Sequence, residues 1–294
     1  VNDTPLFTSA ERARLDRLRL MRRQTMVGER MGDWRSWRTG AGGLFADHRD
    51  YVPGDDLRYV DWNVYGRLGD LVVKRFEAEE NLNLLLCVDR SPSMQGAKSR
   101  RARRIAGALG HIALAHQEHV RLAWLPAAGR GPLSVHRGRG RSAQLLGELA
   151  REGEGGDTDH TRDIRPVLHA LRGRGIAVVL SDFYDPKSAV AGLARLRARG
   201  MDVAAVHILD GADVDLPLGA SVRAVDQETG ETLDVDVTPA LIESLHAAWR
   251  RRAYQLERWC VSREVLYQRV DVATSLWDVL HNLLGRGLVA AGGR

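Results

Sequence analysis

The stretch NLNLLLCVDRSPSM, Asn81 to Met94, ends an apolar run in one carboxylate and two hydroxyls at alternate positions: Asp89, Ser91 and Ser93. A second apolar run, IAVVLSD, ends in Asp182, and between them GEGGDTDHTRDI sets Thr158 and Thr161 just ahead of a helical pattern. Neutral hydroxyl oxygens combined with two carboxylates suit a hard divalent cation. Mg²⁺ takes about six oxygen ligands at roughly 2.0–2.1 Å and keeps several of its waters, which aspartates can hold. A site so poor in direct anionic ligands leaves the ion electrophilic, so that an incoming carboxylate completes its shell. That is a recognition device more than a catalyst.

Such residues meet only if the elements between them carry them to one place. NLNLLLCV, VRLAWLP, IAVVLSD, MDVAAVHIL and EVLYQRVDV read as strands, several of them apolar almost throughout. Between them run helical patterns: AKSRRARRIAGALGHIALAHQEH with Ile105, Leu109, Ile112 and Ala113 on one stripe, then SAQLLGELARE, TRDIRPVLHALRGR, PKSAVAGLARLRARG, PALIESLHAAWRRRAYQLERW and SLWDVLHNLLGR. This alternation predicts a doubly wound α/β fold around a mostly parallel sheet, with ligands at the carboxyl ends of its strands. ASVRAVDQETGETLDVDV predicts a β-hairpin insertion near 220–237. Residues 10–26 carry Leu15, Leu18 and Met21 between arginines and read as one amphipathic helix, and GDWRSWRTGAGGLF as an irregular or hairpin segment. The expected division is an N-terminal region of residues 1–80 and an α/β domain of residues 81–294.

The chain of 294 residues is long enough for a sizeable core, and its charges are mixed in sign with a net of +5. No run approaches the ~20 apolar residues of a membrane span, and the arginine-rich start lacks the apolar core of a secretory signal. A cytoplasmic protein without membrane attachment is expected. Cys87 and Cys260 each lie in an apolar stretch and read as buried, reduced thiols.

Asp89-x-Ser91-x-Ser93, a threonine in a glycine-rich loop and Asp182 after a VVLSD strand resemble the metal-ion-dependent adhesion site of von Willebrand factor A domains. Spacing to Ile164 favours Thr158 as the threonine, with Thr161 second. The segment YVPGDDLRYVDWNVYGRLGDLVVKRFEAE, with DQETGE and LYQRV, resembles the hallmark of the bacterial domain-of-unknown-function 58 family over roughly residues 10 to 285. The resemblance implies a von Willebrand A-like, Rossmann-type fold. Ser91, Ser93 and Thr158 would touch Mg²⁺ (or Mn²⁺ or Ca²⁺) directly, and Asp89 and Asp182 would hold it through water. It also implies association with a MoxR-type AAA+ ATPase, in chaperone-like assembly or activation of other proteins. The ATPase or its client would supply an acidic residue to the ion.

Other readings compete for the same residues. Asp89, Ser91 and Ser93 could merely cap the following helix, leaving a metal-independent scaffold. Tyr51, Pro53, Gly54, Asp55, Asp56, Arg58, Asp61 and Trp62 read as a buttress, with Trp62 anchoring the N-terminal region to the sheet. His111, His116 and His119 lack a third zinc ligand at the usual spacing and read as ordinary helix histidines. Arg137, Arg139 and Arg141, and the N-terminal arginines with Trp34 and Trp37, read as solvated surface in preference to a nucleic-acid grip. No enzyme is expected: a Walker loop and a Gly-x-Ser-x-Gly elbow are absent, and Ser91 stands where a haloacid dehalogenase-type phosphatase needs its second aspartate.

Overall fold

A computed structural model describes residues 5–21, 37–38, 44–77, 82–126, 133–151, 158–171, 173–213, 217–225 and 232–291. The chain divides into two compact units, one of residues 1–26 with 82–294 and one of residues 27–81. The expected N-terminal region of residues 1–80 is therefore split, its first part packing with the α/β unit.

That first part is not one helix. Helix α1 (Ser9–Leu15) opens on a capping box, in which the Thr8 hydroxyl accepts from the Glu11 N–H while Glu11 accepts from the Thr8 N–H. It ends at Asp16, and the chain extends as β1 (Leu18–Leu20), antiparallel to β13 (Val289–Ala291) at the far end of the sequence. Leu18, expected on the stripe of a continuing helix, lies instead in a strand whose backbone is satisfied by that pairing. Residues 22–26 of the expected helix lie outside the described residues.

The smaller unit is an antiparallel sheet in the order β2 (Trp37–Arg38), β4 (Val72–Glu77), β3 (Leu44–Asp50), with α2 (Trp62–Leu68) in the connection. Trp34 lies outside the described residues.

In the larger unit, six strands stand in the order β12 (Leu266–Asp271), β9 (Met201–Leu209), β8 (Gly175–Ser181), β5 (Asn83–Asp89), β6 (His119–Leu125), β7 (Ser134–Arg137), all parallel except β7. From β5 the chain steps outward to β6 and β7, then crosses back to β8 on the other side of β5. Strand order thus reverses between β5 and β8, and a crevice opens at their carboxyl ends. This is the doubly wound α/β fold read from the sequence.

Alternation along each strand builds two cores. Leu84, Leu86 and Val88 of β5, with Ile176, Val178 and Leu180 of β8, face α3 (Ala97–Ala115), α4 (Ser142–Ala150) and α8 (Leu276–Gly285). Leu85 and Cys87, with Ala177 and Val179, face α5 (His160–Ala170), α6 (Pro186–Ala198) and α7 (Pro239–Ser262). The hairpin of β10 (Ser221–Val225) and β11 (Thr232–Asp236) forms where expected, the DQETGE turn lying outside the described residues. Among the described residues no helix is long and apolar enough to cross a membrane.

Candidate functional site

The crevice between β5 and β8 receives three loops. Asp89 closes β5, and its carboxylate is 2% exposed. Its Oδ1 accepts from the Ser91 N–H at 2.8 Å and from the Thr158 hydroxyl at 2.8 Å, across 69 residues of chain. Its Oδ2 accepts from the Ser181 hydroxyl at 2.5 Å. The Ser91 and Ser93 hydroxyls lie 3.1 Å apart. Neither caps a helix: the short turn Pro92–Met94 has no side-chain cap, and α3 starts from Gly96 at φ +66°. The capping role set against metal binding in the sequence is therefore not what these hydroxyls perform.

Thr158 is positioned from behind. Asp159 caps α5, accepting from the Thr161 and Arg162 N–H groups at 2.8 and 3.2 Å and from the Ser188 hydroxyl at 2.9 Å, which ties the starts of α5 and α6 together. Gly192 lets these helices close up: a Cβ there would stand 2.8 Å from Ile164 Cδ1 and 3.0 Å from the His160 carbonyl oxygen. Thr161, the second candidate, lies inside α5 and directs its hydroxyl to the Ser188 carbonyl at 3.4 Å. Thr158 is the threonine that reaches Asp89.

Asp182 belongs to the same crevice but faces another partner. Its Oδ2 accepts from Lys98 Nζ at 3.0 Å, and the same ammonium donates to Asp213 Oδ2 at 2.7 Å. Burial works against the Lys98 charge, but Asp182 and Asp213 outweigh it and raise its pKa above the ordinary value. For Asp89, burial lifts the carboxyl above its usual range, opposed by His160 and reinforced by the like charge of Asp182. His160 Nε2 stands 3.9 Å from Asp89 Oδ2 and is buried without a hydrogen-bond partner among the described residues. Behind it, the ring of Phe183, a residue at φ +47°, lies tilted against His160 and edge-on to His207, whose Nδ1 lies 2.7 Å from the Tyr267 hydroxyl.

Four polar residues of this cluster escaped the sequence reading: Ser181, Lys98, Asp213 and His160. Ser181 shares the face of Val179, and the β5–β8 register is what points it where Asp89 points.

The remaining candidates resolve to local tasks. Asp55 accepts from the Val52 N–H and Arg49, and Asp56 caps the turn Leu57–Tyr59 while paired to Arg58. Asp61 caps α2 and meets His48 at 3.0 Å and Lys74 at 3.3 Å, with His48 foremost in lowering its pKa to about 2. Trp62, expected as an anchor, is 57% exposed, with Tyr65 edge-on to it. His111 joins Ser142 and Asp16, His116 meets the Leu18 carbonyl, and His119 opens β6 outside any helix. Among the described residues no group of three or more His, Cys, Asp or Glu side chains is arranged to hold a metal. Arg139 donates to the Ala115 carbonyl at the end of α3, and Arg141 to Gln144. Cys87 and Cys260 are buried free thiols, and burial pushes both pKa values up to about 12.

The family described as "Protein of unknown function DUF58" matches residues 47–255, a span holding all five candidate site residues. The chain belongs to the DUF58 family. This DUF58 chain is 30% identical over 247 residues to the uncharacterized protein Rv1480 of Mycobacterium tuberculosis (strain ATCC 25618 / H37Rv), covering 81% of this chain and 76% of that protein. The same figures hold for the uncharacterized protein Mb1516 of Mycobacterium bovis. Among solved structures, the conserved hypothetical protein BatB from Bacteroides thetaiotaomicron aligns with a TM-score of 0.38 at 10% identity, over 70% of this chain and 98% of that one. An aerotolerance-related membrane protein from Bacteroides fragilis gives 0.37 at 12%, over 70% and 100%.

Proposed function

We propose that this DUF58 chain is a non-catalytic adaptor that binds a partner's carboxylate through a divalent cation held in the β5/β8 crevice. The observation that carries the reading is the Thr158 hydroxyl, delivered by a separate loop: it donates to Asp89 at 2.8 Å, with the Leu125 carbonyl at 3.2 Å as its other acceptor, and no donor to its oxygen lies among the described residues. Ser91 and Ser93 add two further hydroxyl oxygens, and Asp89 and Asp182 supply buried negative charge. The partnerless His160 Nε2 beside Asp89 favours a hydrated ion in the crevice, since buried polar atoms are ordinarily satisfied. Ser91, Ser93 and Thr158 would contact the ion, and Asp89 and Asp182 would hold its waters; bound Mg²⁺ would supply an electrophilic position for an acidic side chain.

By the same resemblance to von Willebrand A adhesion sites and their family, the partner is a MoxR-type AAA+ ATPase or a client on which that ATPase acts. A second reading is a metal-independent scaffold of the same fold, favoured by Lys98, which already gives Asp182 a cationic neighbour. Affinity purification with wild type, Asp89→Ala and Ser93→Ala, each with and without EDTA, separates the two. The adaptor reading expects the partner to be lost with EDTA and in both variants. Equal recovery in every arm refutes it in favour of the scaffold.

A further inference from the structure

The two site aspartates are compensated by different means. Asp89 accepts its hydrogen bonds from donors without formal charge, namely the Ser91 N–H and the hydroxyls of Thr158 and Ser181, with the His160 ring 3.9 Å away and not bonded to it. Asp182 instead meets a full positive charge, Lys98, whose side chain leaves the first turn of α3. That is an unfavourable place for a cation, because the helix N-terminus already carries positive potential. Lys98 is also only 5% exposed. A cation is stable there only because Asp182 and Asp213 flank it at 3.0 and 2.7 Å. The charged cluster of Asp89, Asp182, Asp213 and Lys98 therefore holds three carboxylates against one ammonium.

We propose that Lys98 is the built-in counter-ion of the crevice, holding Asp182 in place when no metal is bound and setting the affinity for a divalent cation by repelling it. The proposal rests on the cation reading above and adds a residue that the oxygen-donor pattern does not contain. Asp213 is part of the device. By drawing the ammonium toward itself it leaves Asp182 only half engaged, so Asp182 can still turn an oxygen toward a hydrated ion. The two variants consequently act in opposite directions. Lys98→Met removes the repulsion and frees Asp182, while Asp213→Asn leaves Lys98 bound to Asp182 alone.

The test is calorimetric titration of MgCl₂ and of MnCl₂ into the full chain as wild type, Lys98→Met and Asp213→Asn, with circular dichroism to verify folding. Lys98→Met is expected to bind at least about tenfold more tightly than wild type, since a nearby like charge costs that much even when strongly screened. Asp213→Asn is expected to bind several-fold more weakly. If wild type binds and both variants match it, the Lys98 proposal is overturned and the cation reading stands. Binding by Lys98→Met alone supports Lys98 as the occupant of the cation's place and overturns the cation reading for the native chain. Silence in all three overturns both. Should Lys98→Met fail to fold, Asp213→Asn decides: weaker binding than wild type supports the proposal, and unchanged binding overturns it.

Discussion

Ser181 offers the sharpest test of how the crevice is held together. Its side chain is fully buried, its hydroxyl donates to Asp89 Oδ2 at 2.5 Å, and its oxygen accepts from the Phe183 N–H at 2.8 Å. Ser181→Ala removes both bonds without changing the fold's volume appreciably. A hydrogen bond to a charged group is worth about 1.5–3 kcal/mol, and a buried N–H left without a partner costs about 1–3 kcal/mol. Phe183 sits at φ +47°, a backbone region that strains a residue with a Cβ, and the Ser181 bond helps to hold it there. Relaxation recovers part of the loss, so a net destabilisation of about 2–4 kcal/mol is expected. At about 2–4 °C per kcal/mol for a domain of this size, the midpoint falls by roughly 10 °C.

Urea unfolding followed by far-ultraviolet circular dichroism measures the effect, with an unchanged slope showing that the unfolded state is comparable. Ser93→Ala is the control: its hydroxyl has Ser91 as partner in a half-buried position, and its loss should stay within about 0.5 kcal/mol. If Ser181→Ala also stays within that range, Asp89 is not held by the hydroxyl, and the account of the crevice as a hydrogen-bonded cradle is wrong.

Gly192→Ala places a Cβ against Ile164 and the His160 carbonyl, and should cost about 1–3 kcal/mol in urea unfolding as α5 is pushed off α6. Burial lowers the His207 pKa from 6.5 to about 4, so the unfolded chain binds the extra proton between these values. This stabilisation is complete above pH 6.5 and lost as pH falls through about 4, amounting to about 3 kcal/mol; His207→Phe should flatten the dependence of Tm on pH across that window. Asp61 is depressed from 3.8 to about 2, so its contribution to the small unit is present above pH 3.8 and lost as pH falls through about 2. Carboxyl NMR titration should find that low pKa in wild type and a clear upward shift in His48→Ala.

The sheet was legible because its strands are buried on both faces. A continuous apolar run such as Leu84 to Val88 leaves little but a strand at that length, and the aspartates that end two such runs announce the carboxyl edge. The residues alone left Thr158 and Thr161 both open at that edge, and the resemblance to the adhesion site, with the spacing to Ile164, favoured Thr158. What stayed hidden were groups whose role depends on which face they occupy. Ser181 reads as the tail of an apolar strand, and only its register with Val88 and Leu180 shows it sharing a side with Asp89. Lys98 reads as one more basic residue on an arginine-rich helix, and nothing local marks it as turned inward, as Arg103 of the same helix also is. The edge strand β7 was missed because SVHR is short, pairs on one side only and sits among arginines and glycines. Similarly, β1 takes its conformation from β13 at the opposite end of the sequence, a distance no local pattern spans.

Strand alternation also explains why one crevice contains two unlike aspartates. Asp89 continues the parity of Leu85 and Cys87, so its carboxylate falls on the side of α5, where Thr158 and His160 are carried. Asp182 follows Ser181 by one residue and therefore falls on the opposite side, that of α3, where Lys98 is carried. Had β8 ended one residue earlier or later, both carboxylates would have faced the same helix, and their mutual repulsion would have had to be met within one set of donors. The single-residue offset instead keeps Asp89 among hydroxyls and amides and Asp182 against an ammonium. A divalent ion between them would be drawn to one aspartate held by hydroxyls and an amide, with His160 near by, and to another whose charge is shared with an ammonium. Exchange of a partner's carboxylate would then depend as much on how firmly Lys98 grips Asp182 as on the hydroxyl oxygens themselves.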